Sequence, residues 1–143
     1  MPLHHHSLIA WQRADDLFVT VHRLSLEAFP PIERFALGAQ LRRAGYSVAA
    51  NIVEGFAYRP GRKRLQFLHI SEASLAEVGY CIHVARRLGY VSAQTAQEIE
   101  EQVRRVGSPL SGLITSTRLK IGSEVVGALI FLAAAVAQSV VLL

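Results

Sequence analysis

Apolar residues recur along this chain at spacings of three and four, the period of a helix buried on one face. Leu8, Trp11, Ala14, Phe18, Val21 and Leu24 form the first such stripe, and Arg13, Asp15, Asp16, Arg23 and Glu27 lie mostly off it. The stripe predicts a helix from Ser7 that ends at Phe29-Pro30-Pro31, because proline lacks an N–H and disfavours helix in the residue before it. A second helix is expected from residues 32–33, with an acid in its first turn, as the helix dipole favours. Its inner face is Leu37, Leu41, Ala44, Val48 and Ile52, and it should stop near residues 55–58. Pro60-Gly61 marks a loop. The third helix is expected over residues 62–88, with Leu68, Ser71, Leu75, Val78, Ile82 and Ala85 inward and Gly89 as its C-cap. Ser92 fits the N-cap of a fourth, whose inner positions are Ala96, Ile99, Val103 and Val106. Gly107-Ser108-Pro109 should kink or restart it, and Leu110, Leu113 and Ile114 carry the apolar side to about residue 119. No alternating run reads as a strand. The predicted fold is all-α: an antiparallel up-down-up-down four-helix bundle over residues 7–119, with an extra apolar C-terminal helix or tail over 120–143.

Composition sharpens this picture at one point. The chain has 143 residues, the length of one domain, and 51% hydrophobic against 18% charged residues excludes a disordered chain. A single cysteine, Cys81, excludes an intrachain disulfide scaffold and a cysteine-based zinc finger. The net charge of +4 is unevenly spread, because every Lys and Arg lies at or before Lys120. Beyond it Glu124 is the sole charge, and residues 125–143 have none. The N-terminus lacks the basic and apolar regions of a signal peptide. Its three histidines, residues 4–6, read as a solvated terminus, with a metal-binding arm or an expression tag as the other readings.

A polar stripe offers the clearest chemistry. Gln40, Arg43, Ser47, Asn51 and Glu54 follow one another by three or four residues on the second helix, and Ser74, Glu77 and Cys81 partly mirror them on the third. Two readings stand: a buried hydrogen-bonded seam that sets helix register or subunit pairing, or a partly solvated face. Candidate nucleic-acid contacts are the cations Arg42, Arg43, Arg59, Arg62, Lys63 and Arg64, since phosphate binding needs clustered positive charge. Glu98, Glu100 and Glu101 offset Arg104 and Arg105 through helical spacing. Catalytic signals are poor. Glu54 and Glu77 are the only candidate carboxylate pair, but the Glu-x-x-His spacing of bundle metal sites does not occur. No catalytic residue, metal or cofactor is assigned. His22, His69 and His83 are isolated, and Cys81 reads as a small core residue.

Leu8-x-x-Trp11-x-x-Ala14, Phe29-Pro30-x-x-Glu33-x-x-x-Leu37-x-x-Gln40-Leu41-x-Arg43-Ala44-x-x-Ser47 and Asn51-Ile52-x-Glu54-Gly55 carry a resemblance. Phe67-Leu68-x-Ile70-Ser71-x-x-Ser74-Leu75-x-Glu77 and Leu88-Gly89-Tyr90 continue it. Over residues 8–119 the chain resembles the four-helix-bundle family encoded within intervening sequences of bacterial large-subunit ribosomal RNA genes. The resemblance implies a homo-oligomer, a ring-like pentamer, and no enzymatic activity. A relative, the accessory protein of diversity-generating retroelements, forms a basic barrel that binds nucleic acid and a reverse transcriptase. By analogy this chain is expected to bind RNA or DNA through basic rings, with a reverse transcriptase as a further partner.

The tail lies outside that resemblance. Nineteen residues, 125–143, span about 28 Å as a helix, close to a bilayer's hydrocarbon core. Arg118 and Lys120 before them would hold the bundle in the cytoplasm. The other readings are a helix packed on the bundle or in the oligomer, and a terminus without function. The alternative function is thus a membrane-tethered interaction scaffold with no nucleic-acid role.

Overall fold

The computed structural model describes residues 4–141 and contains four long helices: α1 (Ile9–Glu27), α2 (Leu37–Phe56), α3 (Arg62–Arg87) and α4 (Ala93–Val141). Short 3-10 turns at His4–Ser7 and Pro31–Glu33 precede α1 and α2. Among the described residues there is no strand. The fold is all-α, as expected. Contacts pair residues in opposite order along neighbouring helices. Gly45 lies against Phe18 and Val21 while Arg42 reaches Ser25, and Arg43 meets Glu77 while Gly55 meets Phe67. Gly107 lies beside Leu75 and Arg118 beside His69.

Periodicity placed the core on α2 and α3. Leu41, Ala44, Val48 and Ile52 on α2 are fully buried, and Leu68, Ser71, Val78, Ile82 and Ala85 on α3 meet them. On α1 the buried line is Ala10, Ala14, Leu17, Val21 and Ser25. It is rotated from the expected stripe: Trp11, Phe18 and Leu24 flank the core instead of filling it. The close contact with α2 falls at Gly45, where a Cβ would come within 2.8 Å of Val21 Cγ2 and 3.4 Å of the Phe18 ring.

Helix ends follow local chemistry. The expected start of α2 at 32–33 is a 3-10 turn, and the helix proper begins at Leu37, whose N–H donates to Glu33 Oε2 at 3.0 Å. Tyr90 Oη donates to Glu33 Oε1 at 2.9 Å, tying this end to the α3–α4 turn and raising the tyrosine's own pKa through that bond first. Gly89, at φ 78°, closes α3 in a Schellman motif: Tyr90 N–H donates to Ala85 O and Gly89 N–H to Arg86 O. Ser92 Oγ caps α4 by accepting Thr95 N–H.

Of the kink or restart expected at Gly107-Ser108-Pro109, the restart does not occur. Pro109 sits inside one continuous α4. Proline at this position cannot donate to the carbonyl four residues earlier, that of Arg105. Arg13 of α1 supplies the missing donor: its Nη1 lies 2.9 Å from Arg105 O. The last core residues of α4 are Ile114 and Thr117, and from Gly122 to Gln138 every side chain is exposed. The apolar segment is therefore no separate fifth helix folded back on the bundle. It continues α4 past the bundle's end.

Arg13→Met should lower stability by about 1 kcal/mol in urea denaturation, since it orphans Arg105 O. In a Pro109→Ala background, where the helix supplies that donor itself, the same change should cost almost nothing. An equal cost in both backgrounds would reject the pairing.

Candidate functional site

The polar stripe meets its counterpart across the α2–α3 contact. Ser74 Oγ donates to Ile70 O at 2.8 Å, which spends its single proton. Ser47 Oγ, 2.8 Å away, must then donate to Ser74, and Asn51 Nδ2 donates to Ser47 Oγ at 2.9 Å and to Ser47 O at 2.8 Å. Deeper in, Ser71 Oγ donates to Val48 O at 2.7 Å. At the outer edge Arg43 Nη2 bridges Glu77 Oε1 at 2.6 Å and Gln40 Oε1 at 2.7 Å. Gln40, Ser47, Asn51, Ser74 and Glu77 thus form one line with Arg43, satisfied within the chain. The line is half-buried at the serines and open to solvent at the ion pair.

Glu54 is not part of it. It lies eleven residues along α2 from Arg43, about 16 Å away. There it borders a groove of about 460 Å³ between α1 and α2, walled by Trp11, Phe18, Tyr46 and Val53. The carboxylate pairing of Glu54 with Glu77 is therefore corrected: the two sit at different levels and serve different faces. Cys81 is buried, and burial followed by the Glu77 charge pushes its thiol pKa up, against a smaller opposing effect of Arg43. A raised pKa holds it as an unreactive thiol.

The six candidate phosphate-binding cations divide sharply. Arg64 is only 9% exposed. Its Nε and Nη2 donate to Tyr58 O at 3.1 and 2.5 Å, Nε also reaches Gly55 O at 3.3 Å, and the guanidinium lies 4.2 Å over the Phe56 ring. It is the C-terminal cap of α2. Arg42 donates to Ser25 Oγ at 2.9 Å and Arg34 O at 2.6 Å, tying α2 to the end of α1 and the turn between them. Arg43 is held in the seam. Arg42 and Arg64 are thus occupied by the fold, a correction to their reading as phosphate contacts, whereas Arg43 is 63% exposed in an ion pair at the surface. Arg59, Arg62 and Lys63 remain exposed on the α2–α3 turn, with Lys63 Nζ 4.1 Å over the Tyr58 ring. Arg104 and Arg105 both pair with Glu101 and hold its carboxyl below the usual range.

The histidine segment departs from a solvated terminus. His4–Ser7 form a 3-10 turn, Gln12 Nε2 donates to His6 O at 2.7 Å, and the His5 and His6 rings lie 4.9 and 4.8 Å from Trp11. The His4 ring is 6.1 Å from Phe56, so the segment sits at the same end of the bundle as the α2–α3 turn. Sequence spacing carries no signal for this docking, nor for Arg13 at Pro109 or Tyr90 at Glu33. The last two join residues distant in the chain.

These features define a class: a helical bundle whose buried polar groups serve its own packing and whose free chemistry lies at its ends. Among the described residues no three metal-binding side chains gather. The chain belongs to the 23S rRNA-intervening sequence protein family, whose profile matches residues 6–112. It is similar in fold to the crystal structure of a protein of unknown function from the S23 ribosomal protein family of Bacteroides thetaiotaomicron. The TM-score is 0.68 at 20% identity, over 74% of this chain and 98% of that one. No curated protein matches the chain significantly. The family match ends at Gly112, so the apolar extension of α4 lies outside it.

Burial, then the neighbours His6 and His4, lower the pKa of His5 from its ordinary 6.5. The docked turn favours neutral His5, so docking is complete above that ordinary value and weakens as pH falls below it. Trp11 is the chain's one tryptophan. Its emission should change on acidification from about pH 7 to 5. The component lost in His5→Gln should have a midpoint below the ordinary histidine value. A midpoint at or above it would refute the docking.

Proposed function

We propose that this protein is a non-enzymatic, self-associating helical module moored to a membrane by the apolar extension of α4. The observation that carries this reading is the state of that extension. α4 is long and apolar enough to cross a bilayer, and none of its most apolar eighteen residues is buried. An apolar surface of this size exposed to water drives association, so lipid or protein must cover it. It is apolar all round, without the polar face a helix keeps when it packs on one side only. Cationic Arg118 and Lys120 at its root favour a bundle on the cytoplasmic side.

Self-association finds support at the opposite end of the bundle. Ile32 and Phe35, beside the α1–α2 turn, are 84% and 88% exposed, and Leu88 near the α3–α4 turn is 54% exposed. A ring of copies, as the family resemblance implies, would give these side chains cover. Nucleic-acid binding is the second reading, and the exposed Arg59, Arg62 and Lys63 favour it. It calls on the same cations as an anionic membrane surface does.

The full chain should pellet with membranes and resist high-salt and alkaline washes, whereas the 1–120 fragment should stay in the supernatant. Equal distribution of the two rejects the mooring. The fragment is suited to this test because every buried core residue lies at or before Thr117. The 1–120 fragment should also sediment as an oligomer, and Ile32→Ser with Phe35→Ser should reduce its mass toward the monomer at unchanged helicity. An unchanged mass excludes that end as the contact.

A further inference from the structure

We propose that the end of the bundle from which α4 emerges is a docking surface for the headgroups of anionic lipids, built from Arg59, Arg62, Lys63, Arg118 and Lys120. The proposal rests on the membrane mooring and adds what the bundle does at the bilayer surface.

Its first support is register. Arg118 Nη2 lies 3.2 Å from His69 Nε2, so those residues are level on α4 and α3. The two helices run in opposite directions. Seven residues back along α3 is Arg62, and seven forward along α4 is Val125. Each step covers about 10 Å toward the same end. The charge-free stretch thus begins at about the level of the α2–α3 turn. If α4 enters a bilayer there, that turn meets the headgroup layer.

Charge is the second support. All five cations are exposed. Against them at or near this end stand Asp15 and Glu54, which share a groove, Glu72, which pairs with His69 beside Arg118, and Glu124 on α4. The first turn of α3 contains Arg62, Lys63 and Arg64 and no acid, the reverse of what the helix dipole favours. Arg64 is compensated by capping α2, but Arg62 gains nothing comparable within the chain. A local rule broken without internal compensation points outward, to an external anion. The Tyr58 ring, stacked 5.7 Å from Phe67 and carrying Lys63, adds an aromatic of the kind favoured at the lipid–water boundary.

The arrangement fits lipid better than a nucleic acid. Arg42 and Arg64 are engaged within the fold, and Arg43, Arg104 and Arg105 are each paired with a carboxylate at the surface. At this end the free cations form a patch around the root of an apolar helix, while Arg23, Arg34, Arg86 and Arg87 are exposed toward the α1–α2 and α3–α4 turns.

The test uses vesicles of phosphatidylcholine alone and of phosphatidylcholine with phosphatidylglycerol. The full chain should float with both, through α4. The 1–120 fragment, which keeps all five cations, should bind only the anionic vesicles and be released by salt. In Arg59→Gln/Arg62→Gln/Lys63→Gln its partition should fall roughly ten- to a hundred-fold. If the full chain floats but the fragment binds both vesicles equally, the docking surface is overturned and the mooring stands. If the full chain floats with neither, the mooring fails and the docking surface with it. If the triple variant keeps vesicle binding but loses salt-sensitive binding to a structured RNA, the cations serve nucleic acid and the proposal is overturned.

Discussion

The buried guanidinium of Arg64 closes the turn between α2 and α3, and much of the molecule is arranged around it. A helix C-terminus leaves carbonyls without partners, and most helices satisfy them with water or a glycine cap. Here α2 ends against α3, so a side chain of α3 must supply the donors. Arg64 does so at Gly55 and Tyr58, with its flat face over Phe56. Burial lowers its pKa, yet an arginine stays charged, so the cap does not titrate away in the neutral range. Anchoring the turn fixes how α3 lies on α2. Gly55 can then approach Arg64 and Phe67, where a Cβ would stand 3.3 Å from Phe67 Cβ. Further along, the same pairing brings Ser74 to Ser47 and Glu77 to Arg43.

This dependence explains what was legible in the sequence. The α2 and α3 stripes predicted the core because both helices bury one broad face, where period alone decides. The polar stripe was legible as a stripe, but its partition was not. Ser47 and Asn51 face α3 while Glu54 faces α1, a difference set by where the third helix crosses. The stripe on α1 included Trp11, Phe18 and Leu24, and the structure buries Ala10, Leu17 and Ser25 in their stead, a small rotation of the helix about its axis. The cations illustrate the same limit. Six arginines and lysines look alike by composition, yet capping, loop-tying and seam bonds occupy Arg64, Arg42 and Arg43. Apart from Gln40, three residues from Arg43, those partners are backbone carbonyls or distant side chains, invisible to local spacing.

Pro109 shows how a local rule can be overruled by one tertiary bond. An interior proline destabilises a helix by about 3 kcal/mol. Part of that cost is the orphaned carbonyl, and Arg13 removes it from the neighbouring helix. The consequence reaches beyond the bond. With α4 unbroken, the direction of the apolar extension is set by the packed half of the helix. The extension leaves the bundle as a continuation of the same helix instead of hanging from a linker.

That continuity decides how the two ends of the bundle relate. A free apolar helix of some twenty residues is only marginally stable in water, and a flexible linker would let it enter a membrane in any attitude to its domain. Here the extension and the bundle share one backbone, so inserting the first orients the second. On the proposed mooring, the α2–α3 turn and the exposed cations would meet the membrane surface, and Ile32 and Phe35 would be held at the far end. Self-association through that far end would align several extensions in parallel, and each would add its cations to the same plane. Coulomb attraction to an anionic surface then grows with copy number without any new contact within the chain. The modest charge of one bundle is strengthened by repetition and by orientation, and α4 supplies the orientation.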